Sequence, residues 1–398
     1  MTGETSVASS DPDGTEPANS PEPSSQSWES TRYSPAYPGA FLPDGSDPPD
    51  SGRSVLTTQA EVLTELDLPP LQAFAVGAGV TDPEAERAVR FQPHSDPPSC
   101  PATFCTRIDG GAVWTPGFIA FAPLGHYLAD SVRTPRLMTN LGLPLEDSGT
   151  IGPLPSPIYS PETAILIGNL QAQNYFHWLF ESVARLGVLA LADLGVDLSD
   201  AKYIVPELSG AQVESLLRAG IRDDQLLNLT DQFVQFSRLY VPSRGLERIY
   251  RFSRAGVAYL RSLGPEGKPE RRLYLTRRHS GRRRIENESE VVEMLSSHGF
   301  DAVAAETLSF DRQIELFSQA RALVAPHGAG LANIAFMPPA GAVLEVQPEN
   351  LDYAGSAMYR SLAAVAEQRY GVLVGKGAAR DSIQVDIGLL ESLVRELM

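Results

Sequence analysis

The chain has 398 residues, of which 42% are hydrophobic, and its formal net charge at pH 7 is −17. This length predicts about two domains. The acidic balance disfavours nucleic acid as a partner, because its phosphate backbone would be repelled. The two cysteines, Cys100 and Cys105, have neither a second cysteine pair nor a histidine cluster near them. This pattern fits reduced thiols better than a zinc site.

The first ten residues, MTGETSVASS, have neither a basic segment nor an apolar run, which argues against a secretory signal. The most apolar segment, residues 183–196, contains Arg185 and Asp193 and is too short to cross a bilayer. We therefore expect a cytoplasmic protein without a transmembrane segment, and peripheral association with a membrane stays open.

The first fifty residues differ in composition from the rest. They contain nine acidic residues and a single basic residue, Arg32, among many Ser, Pro and Gly residues. Such a segment has too little apolar surface to offset the entropy of ordering. The sequence therefore predicts a disordered acidic tail over residues 1–53.

Regular patterns begin near residue 100. The alternating run over residues 111–121 predicts strands and hairpins. From residue 163 onward, buried strands alternate with helices, which predicts βα units on a parallel sheet. The predicted strands are residues 162–169, 201–206 and 237–242, and the predicted helices are residues 171–191, 211–219 and 246–263.

The segment GPEGKP, residues 264–269, interrupts every regular element and predicts a hinge. Strands and helices alternate again beyond it, and Asn287 with Glu290 three residues later predicts a capped helix start. The predicted strands are residues 273–276, 301–304, 322–325, 342–346 and 371–374; helices are expected from residue 288, at residues 310–320, after residue 330, and at residues 353–369 and 383–397.

These patterns predict an α/β protein with two doubly wound, Rossmann-like domains. The expected divisions are an N-terminal domain over residues 54–263, a hinge over 264–270, a C-terminal domain over 271–382 and a terminal helix over 383–398. Ligands of such sheets bind at the carboxyl ends of the strands. A cleft between the two domains is therefore the expected site.

Two segments of the second half predict binding of a diphosphate. Seven arginines fall within residues 271–284, RRLYLTRRHSGRRR, in an otherwise acidic chain. Further on, the turn PHGAG at residues 326–330 separates a short strand from a helix, and its small residues would let the backbone approach a phosphate. Arg277 and Arg283 are the expected anion contacts. The plainer alternatives are a solvated basic loop and a tight turn without a ligand.

The first half contributes the segment NYFHWLFES, residues 174–182. His177 and Glu181 lie four residues apart, so a helix would place both on one face, where the carboxylate can orient the imidazole. His177 is thus a candidate general base. Equally, it could simply pack or cap the helix, and a metal pair is a further alternative. Near the chain end, Glu345 follows an apolar strand and is either a ribose contact or a surface acid.

The three segments NYFHWLFES, YLTRRHSGRRRIENESE and APHGAGLANIAFMPPAGAVLEV resemble glycosyltransferase family 61, which includes capsular-polysaccharide-type bacterial enzymes. The resemblance covers residues 163–375 and, more weakly, residues 100–162. It implies a GT-B architecture, a sugar nucleotide held mainly by the second domain, and transfer with inversion at the anomeric carbon. Phe176 and Thr276 stand where many members carry Tyr and Ser, which puts one hydroxyl contact in question.

The resemblance also assigns roles to residues. It implies His177 and Glu181 as the catalytic pair, with Asn174 and Trp178 on the acceptor side. For the nucleotide sugar, the matching positions are Arg277, Arg283, Asn287, Glu288, His327, Gly328, Ala329, Gly330, Asn333 and Glu345.

No cofactor or metal is expected. The only Asp-x-Asp spacing, Asp11-Pro12-Asp13, falls in the predicted tail, so arginines and backbone N–H groups would stabilise the leaving diphosphate. The expected partners are a nucleoside-diphosphate sugar, with UDP as the first candidate nucleotide, and a glycan or other hydroxyl acceptor. The leading hypothesis is a metal-independent, inverting glycosyltransferase of cell-surface glycan synthesis. A non-catalytic homologue that binds nucleotide sugars or glycans is the alternative, and a nucleotide-sugar epimerase is a third.

Overall fold

The computed structural model describes residues 103–397 with gaps, together with two earlier strands, Ser34–Ala36 and Ala60–Glu65. The gaps are residues 124–125, 129–130, 132–150, 153, 192–193, 195, 248–250, 267, 350, 352 and 378–381. Apart from Ser34–Ala36, the predicted tail over residues 1–53 lies outside the described residues.

The first sheet is mixed rather than parallel throughout. Strands β7, β8, β9 and β10 pair in parallel, whereas β3 and β4 pair with β10 in antiparallel fashion. The doubly wound arrangement predicted for this half is thus confined to its later strands, because the short connections from β4 to β6 allow only antiparallel pairing. Strand order is β1-β6-β5-β4-β10-β7-β8-β9, and β3 pairs with both β10 and β2. The strands are β1 Ser34–Ala36, β2 Ala60–Glu65, β3 Phe104–Asp109, β4 Ala112–Trp114, β5 Ile119–Ala122, β6 His126–Leu128, β7 Ile158–Leu166, β8 Lys202–Val205, β9 Leu226–Asn228 and β10 Phe233–Pro242.

The helices of this half differ from prediction at two places. The single helix expected over residues 171–191 is interrupted at Ser182, whose ψ of −69° and φ of −124° are not helical. The helix expected over residues 246–263 begins only after Ser253, whose hydroxyl accepts from the N–H of Gly256. Before it, β11 Leu246–Glu247 and β12 Arg251–Phe252 form an antiparallel pair. The α-helices are α1 Tyr175–Glu181, α2 Leu186–Leu191, α3 Gly210–Arg218 and α4 Arg254–Ser262, and the 3₁₀ helices are η1 Val183–Arg185 and η2 Asp223–Gln225.

The second sheet has the order β14-β13-β15-β16-β17-β18. Its first five strands are parallel, and β18 pairs with β17 in antiparallel fashion. The parallel strands have the order of a doubly wound fold, and this strand order reverses between β13 and β15. The prediction of a doubly wound sheet holds for this half. Its strands are β13 Arg271–Leu275, β14 Asp301–Val303, β15 Ala320–Pro326, β16 Ala342–Pro348, β17 Arg369–Gly377 and β18 Ile383–Gln384.

The structure differs from the local predictions for this half in three details. The helix expected after the PHGAG turn is present, and it is a 3₁₀ helix. Residues 383–384 form β18 instead of starting the last helix. Asn287 is the N-cap residue of the next helix, as predicted, but its side chain makes no capping hydrogen bond, because its amide bonds both backbone groups of Val385. The α-helices are α5 Glu288–Ser297, α6 Phe310–Ser318, α7 Tyr353–Val365 and α8 Ile387–Leu397, and the 3₁₀ helices are η3 Ala305–Thr307 and η4 Ala329–Phe336.

Aromatic side chains join the two halves in one hydrophobic core. The ring of Phe176, on α1, lies 5.8 Å from that of Tyr359, on α7, and 6.0 Å from that of Phe252. Phe252 belongs to the first half and Tyr359 to the second; both are buried in the same cluster as Phe176, which also includes residues of η4 and α6. The described residues therefore form a mixed α/β fold whose two main sheets share packed helices. None of the helices within these residues is both long and apolar enough to span a membrane.

Candidate active site

A cavity of about 520 Å³ lies where the two halves meet. Its walls are built from segments that follow the carboxyl ends of β7 and β8 in the first sheet and of β13, β14 and β15 in the second. Parallel sheets bind ligands at this edge, at the point where the strand order reverses. The reversal between β13 and β15 borders the cavity, whose volume suits a small-molecule ligand.

Arg277 lies at this point and lines the cavity. Its Nη2 donates to Ser280 Oγ at 2.8 Å and to the carbonyl of Arg282 at 3.2 Å, and its Nε donates to the same carbonyl at 3.3 Å. Burial, and then the positive charge of nearby Arg283, lower the pKa of Arg277. An anion in the cavity would oppose both effects.

The PHGAG turn brings its backbone against this guanidinium. A Cβ on Gly328 would fall 1.8 Å from Nη1 of Arg277, so only glycine fits at this position without displacing the arginine. Within the turn, the N–H of Leu331 is bonded, to the carbonyl of Gly328 at 3.0 Å. The start of a 3₁₀ helix leaves its first N–H groups without helical acceptors. Ala329 and Gly330, which begin η4, line the cavity.

Arg283 is close enough to Arg277 to lower its pKa, but it does not line the described cavity. Its backbone has a φ of 55°, in the left-handed region, and its Nε is buried without a hydrogen-bond partner among the described residues. An unpaired buried guanidinium nitrogen is costly. The arrangement concentrates positive charge at one edge of the cavity.

Two residues expected at the nucleotide are buried behind the turn. Glu345 has no exposed surface, and its carboxylate accepts from His327 Nδ1 at 2.5 Å and from the hydroxyl of Tyr370. The expectation that Glu345 meets ribose hydroxyls is not met, because both of its oxygens are used within the protein. His327 is likewise buried, and its backbone N–H donates to the carbonyl of Val346. These residues support the turn instead of facing the cavity.

Asn333 is also fully buried and away from the cavity lining. Its Oδ1 accepts from the hydroxyl of Tyr175 at 2.8 Å, and its Nδ2 donates to Gln313 Oε1 and to the carbonyl of Gly330, each at 3.1 Å. The hydroxyl bond links α1 of the first half to η4 of the second. Asn333 thus fixes the turn and joins the halves.

Asn287 and Glu288 serve the second sheet in this structure. Asn287 binds the backbone of Val385, as described above. Glu288 Oε1 accepts from Tyr274 at 2.9 Å and from Thr276 Oγ1 at 2.6 Å, which ties the start of α5 to the end of β13. Neither residue lines the cavity. Glu288 therefore acts on the site through Thr276, which does line it.

The predicted contact between His177 and Glu181 is present, with His177 Nδ1 at 2.8 Å from Glu181 Oε1. Both side chains are largely buried, with 14% and 4% of their surfaces exposed. They are not part of the cavity lining, since Tyr175 and Trp178 form the face of α1 that borders it. Asn174 caps α1 by accepting from the N–H of Phe176 at 3.0 Å.

Glu306 and His279 are among the polar residues of the cavity wall that were not predicted. Glu306 follows β14, the neighbour of β13, and His279 follows Arg277 in the arginine-rich loop. Both are exposed. No sequence motif indicates Glu306; the order of strands β14, β13 and β15 brings it to the cavity, since side chains that follow adjacent parallel strands meet at one edge of the sheet. No group of three or more potential metal ligands occurs in the part of the chain that the structure describes.

Comparison with known proteins gives a family match for the segment that contains most of the cavity wall. Residues 175–344, which extend from α1 to β16, match the family model described as Glycosyltransferase 61. This segment of the chain is similar to the glycosyltransferases of family 61. The predicted resemblance to glycosyltransferase family 61 is thus confirmed for this segment, which includes the cavity-lining residues from Tyr175 to Leu331.

A curated relative of this chain is a protein O-linked-mannose beta-1,4-N-acetylglucosaminyltransferase 2 from Tetraodon nigroviridis. The two are 23% identical over 250 residues, which cover 55% of this chain and 43% of the relative. The chain therefore spans less than half of the length of the curated relative that it matches. The relative's name concerns O-linked mannose, so the capsular-polysaccharide assignment gains no support from it.

Proposed function

We propose that the chain transfers a sugar from a nucleoside-diphosphate sugar to a hydroxyl acceptor, with inversion and without a metal ion. The observation that carries the proposal is the placement of Arg277 against Gly328, where strand order reverses and next to the open start of η4. A cation and free backbone N–H groups at this edge suit a diphosphate. A GT-B arrangement of the two halves is part of this proposal.

The same groups would assist departure of the diphosphate. Negative charge develops on the leaving oxygen as the bond to the sugar breaks, and donors fixed in advance stabilise that charge without reorganising. Arg277 is held by bonds to Ser280 and to Arg282 before a ligand binds. Fixed cations and N–H groups would therefore replace the metal ion of other transferases.

Inversion requires a single displacement, with a base that accepts the proton of the acceptor hydroxyl. We assign this role to His177, with Glu181 as the residue that orients it through the 2.8 Å contact. Asn174 and Trp178, on the same helix, belong to the acceptor side of this proposal. His279 is the second candidate, because it lines the cavity.

For the substrates, we propose classes of donor and acceptor. A UDP-sugar is the first candidate donor, and the relative's name makes N-acetylglucosamine a reasonable sugar to test. The acceptor would be a glycan hydroxyl in the synthesis of a cell-surface polysaccharide or glycoconjugate, with the enzyme in the cytoplasm. A non-catalytic homologue that binds nucleotide sugars is the alternative.

Calorimetry with UDP, GDP, ADP, CDP and dTDP tests the binding site. Arg277→Ala should weaken binding of the preferred nucleotide roughly tenfold or more, because a charge-assisted hydrogen bond is worth about 1.5–3 kcal/mol. Arg271→Ala is the matched control, since Arg271 is an exposed arginine at the opposite end of the same strand. Equal affinity in both variants would place the phosphates elsewhere.

A transfer assay then separates the two candidate functions. Wild-type protein with the matching sugar nucleotide and a glycan acceptor should release the nucleoside diphosphate and form a product with the inverted anomeric configuration. Tight nucleotide binding with no turnover on any donor and acceptor pair would favour the non-catalytic homologue. Product with retained configuration would contradict the single displacement.

A further inference from the structure

Among the described residues that line the cavity, Glu306 is the only one with a carboxylate. It is exposed, and no hydrogen bond or ion pair engages its side chain within the described part of the chain. Glu345, the acid expected at the ribose, is by contrast buried with both oxygens bonded. Of these two acids, only Glu306 can reach a ligand.

The backbone fixes where Glu306 lies. It belongs to η3, directly after β14, and both the N–H and the hydroxyl of Thr307 donate to the carbonyl of Ala304, at 3.1 and 2.8 Å. The N–H of Thr276 donates to Val303 at 3.0 Å, which joins the ends of β13 and β14. Arg277 therefore follows β13 and Glu306 follows the adjacent strand β14, at the same edge of the sheet.

The two side chains are near each other but not paired. The negative charge of Glu306 acts to raise the pKa of Arg277, against the larger effects of burial and of Arg283. In the described residues no ion pair within 4.0 Å joins them, and Glu306 affects Arg277 only through its charge. Because both line the same cavity, a ligand there can meet both, with its negative charge at Arg277 and uncharged hydrogen-bond donors at Glu306.

We infer that Glu306 accepts hydrogen bonds from the vicinal 2′- and 3′-hydroxyls of the donor nucleotide and so selects a ribonucleotide. This inference rests on the proposed diphosphate site at Arg277. A ribose is attached directly to the diphosphate, and its hydroxyls are neutral donors that suit a carboxylate. In doubly wound folds, an acid that follows a strand next to the phosphate-binding strand meets ribose in this way.

The test compares ribonucleotides with deoxynucleotides. Calorimetry would measure UDP, GDP, ADP, CDP and dTDP, and then the 2′-deoxy and 3′-deoxy analogues of the tightest ribonucleotide. Wild-type protein should bind the ribonucleotide roughly ten- to hundredfold more tightly than at least one analogue, as expected for a hydrogen bond to a charged group. In Glu306→Gln, the affinities for the ribonucleotide and for its two deoxy analogues should lie within about threefold of one another, because the neutral amide forms weaker hydrogen bonds than the carboxylate.

Glu315→Gln is the matched control, since Glu315 is an exposed glutamate on α6, paired with Arg312 and outside the cavity. It should keep the wild-type ratio, and melting temperatures check that each variant is folded. Three results would overturn the inference and leave the diphosphate site intact. They are tightest binding of dTDP, equal wild-type affinities for the ribonucleotide and its analogues, and an unchanged ratio of these affinities in Glu306→Gln. Failure of every nucleotide to bind, or no effect of Arg277→Ala, would instead refute the proposed function.

Discussion

The guanidinium of Arg277 occupies the space that a side chain on Gly328 would need, because a Cβ there would fall 1.8 Å from Nη1. The arginine comes from the end of β13 and the glycine from the turn after β15, so two strands that are distant in sequence form one surface. Gly328 has a φ of 165°, which is extended backbone open to any residue. The requirement for glycine is therefore one of space.

Gly328→Ala should weaken nucleotide binding roughly tenfold or more, about as much as Arg277→Ala, because the methyl group displaces the guanidinium. Calorimetry measures the affinity. Gly388→Ala is the control, since the nearest atom to a Cβ at Gly388 is 3.5 Å away, on Asp386, and the residue lies on α8. Wild-type affinity in Gly328→Ala would show that the position of Arg277 does not matter for binding.

Tyr175→Phe should destabilise the protein, since it removes the hydroxyl that donates to Asn333 across the two halves. The acceptor is left buried and without this donor, at a cost of about 1–3 kcal/mol in the free energy of unfolding. Urea unfolding measures the change. Tyr159→Phe, at a tyrosine with 52% exposure, should leave stability within about 0.5 kcal/mol of wild type. Equal stability of the two variants would mean that water replaces the bond.

His177→Ala should lower kcat by about 10²–10⁴, the usual contribution of a positioned base, while nucleotide affinity stays nearly constant. Glu181→Gln should cost less, because the imidazole remains. Steady-state kinetics and calorimetry together make the comparison. If His279→Ala abolishes turnover and His177→Ala retains most of it, the base is the histidine of the cavity wall and His177 has a structural role.

Transfer should persist in excess chelator. The reason is that fixed positive charge and backbone N–H groups, rather than an ion, are proposed to stabilise the leaving diphosphate. The assay compares initial rates with and without EDTA after removal of bound metal. Loss of transfer that manganese or magnesium restores would reveal a metal site, and Glu306 would then be the first residue to examine as its ligand.

Sequence patterns predicted the second half better than the first. The five parallel strands from β13 to β17 are short, apolar and separated by helices, so their local signals agree with the sheet they form. Near residue 246, the pattern of a helix was overridden, because Leu246–Glu247 pairs with Arg251–Phe252. Pairing between segments is a tertiary event that periodicity does not report.

The site shows the same limit. The spacing of His177 and Glu181 predicted their contact, because helical geometry is local. Burial of Glu345 behind His327 and Tyr370 depends on three separate segments, and no single segment reveals it. Glu306 was overlooked since an isolated acid after a short strand carries no motif. Its significance comes only from the order of strands β14, β13 and β15.

The bonds from Arg277 to Ser280 and to the carbonyl of Arg282 have a consequence for the thermodynamics of binding. A long side chain normally loses rotamer freedom when it binds a ligand, and this loss costs about 0.5–1.5 kcal/mol of binding free energy per immobilised side chain. Here that freedom is already lost when the chain folds. Nucleotide binding should therefore carry little entropic penalty from this arginine, and loosening the loop by Ser280→Gly should weaken binding through the entropy term while the charge stays in place.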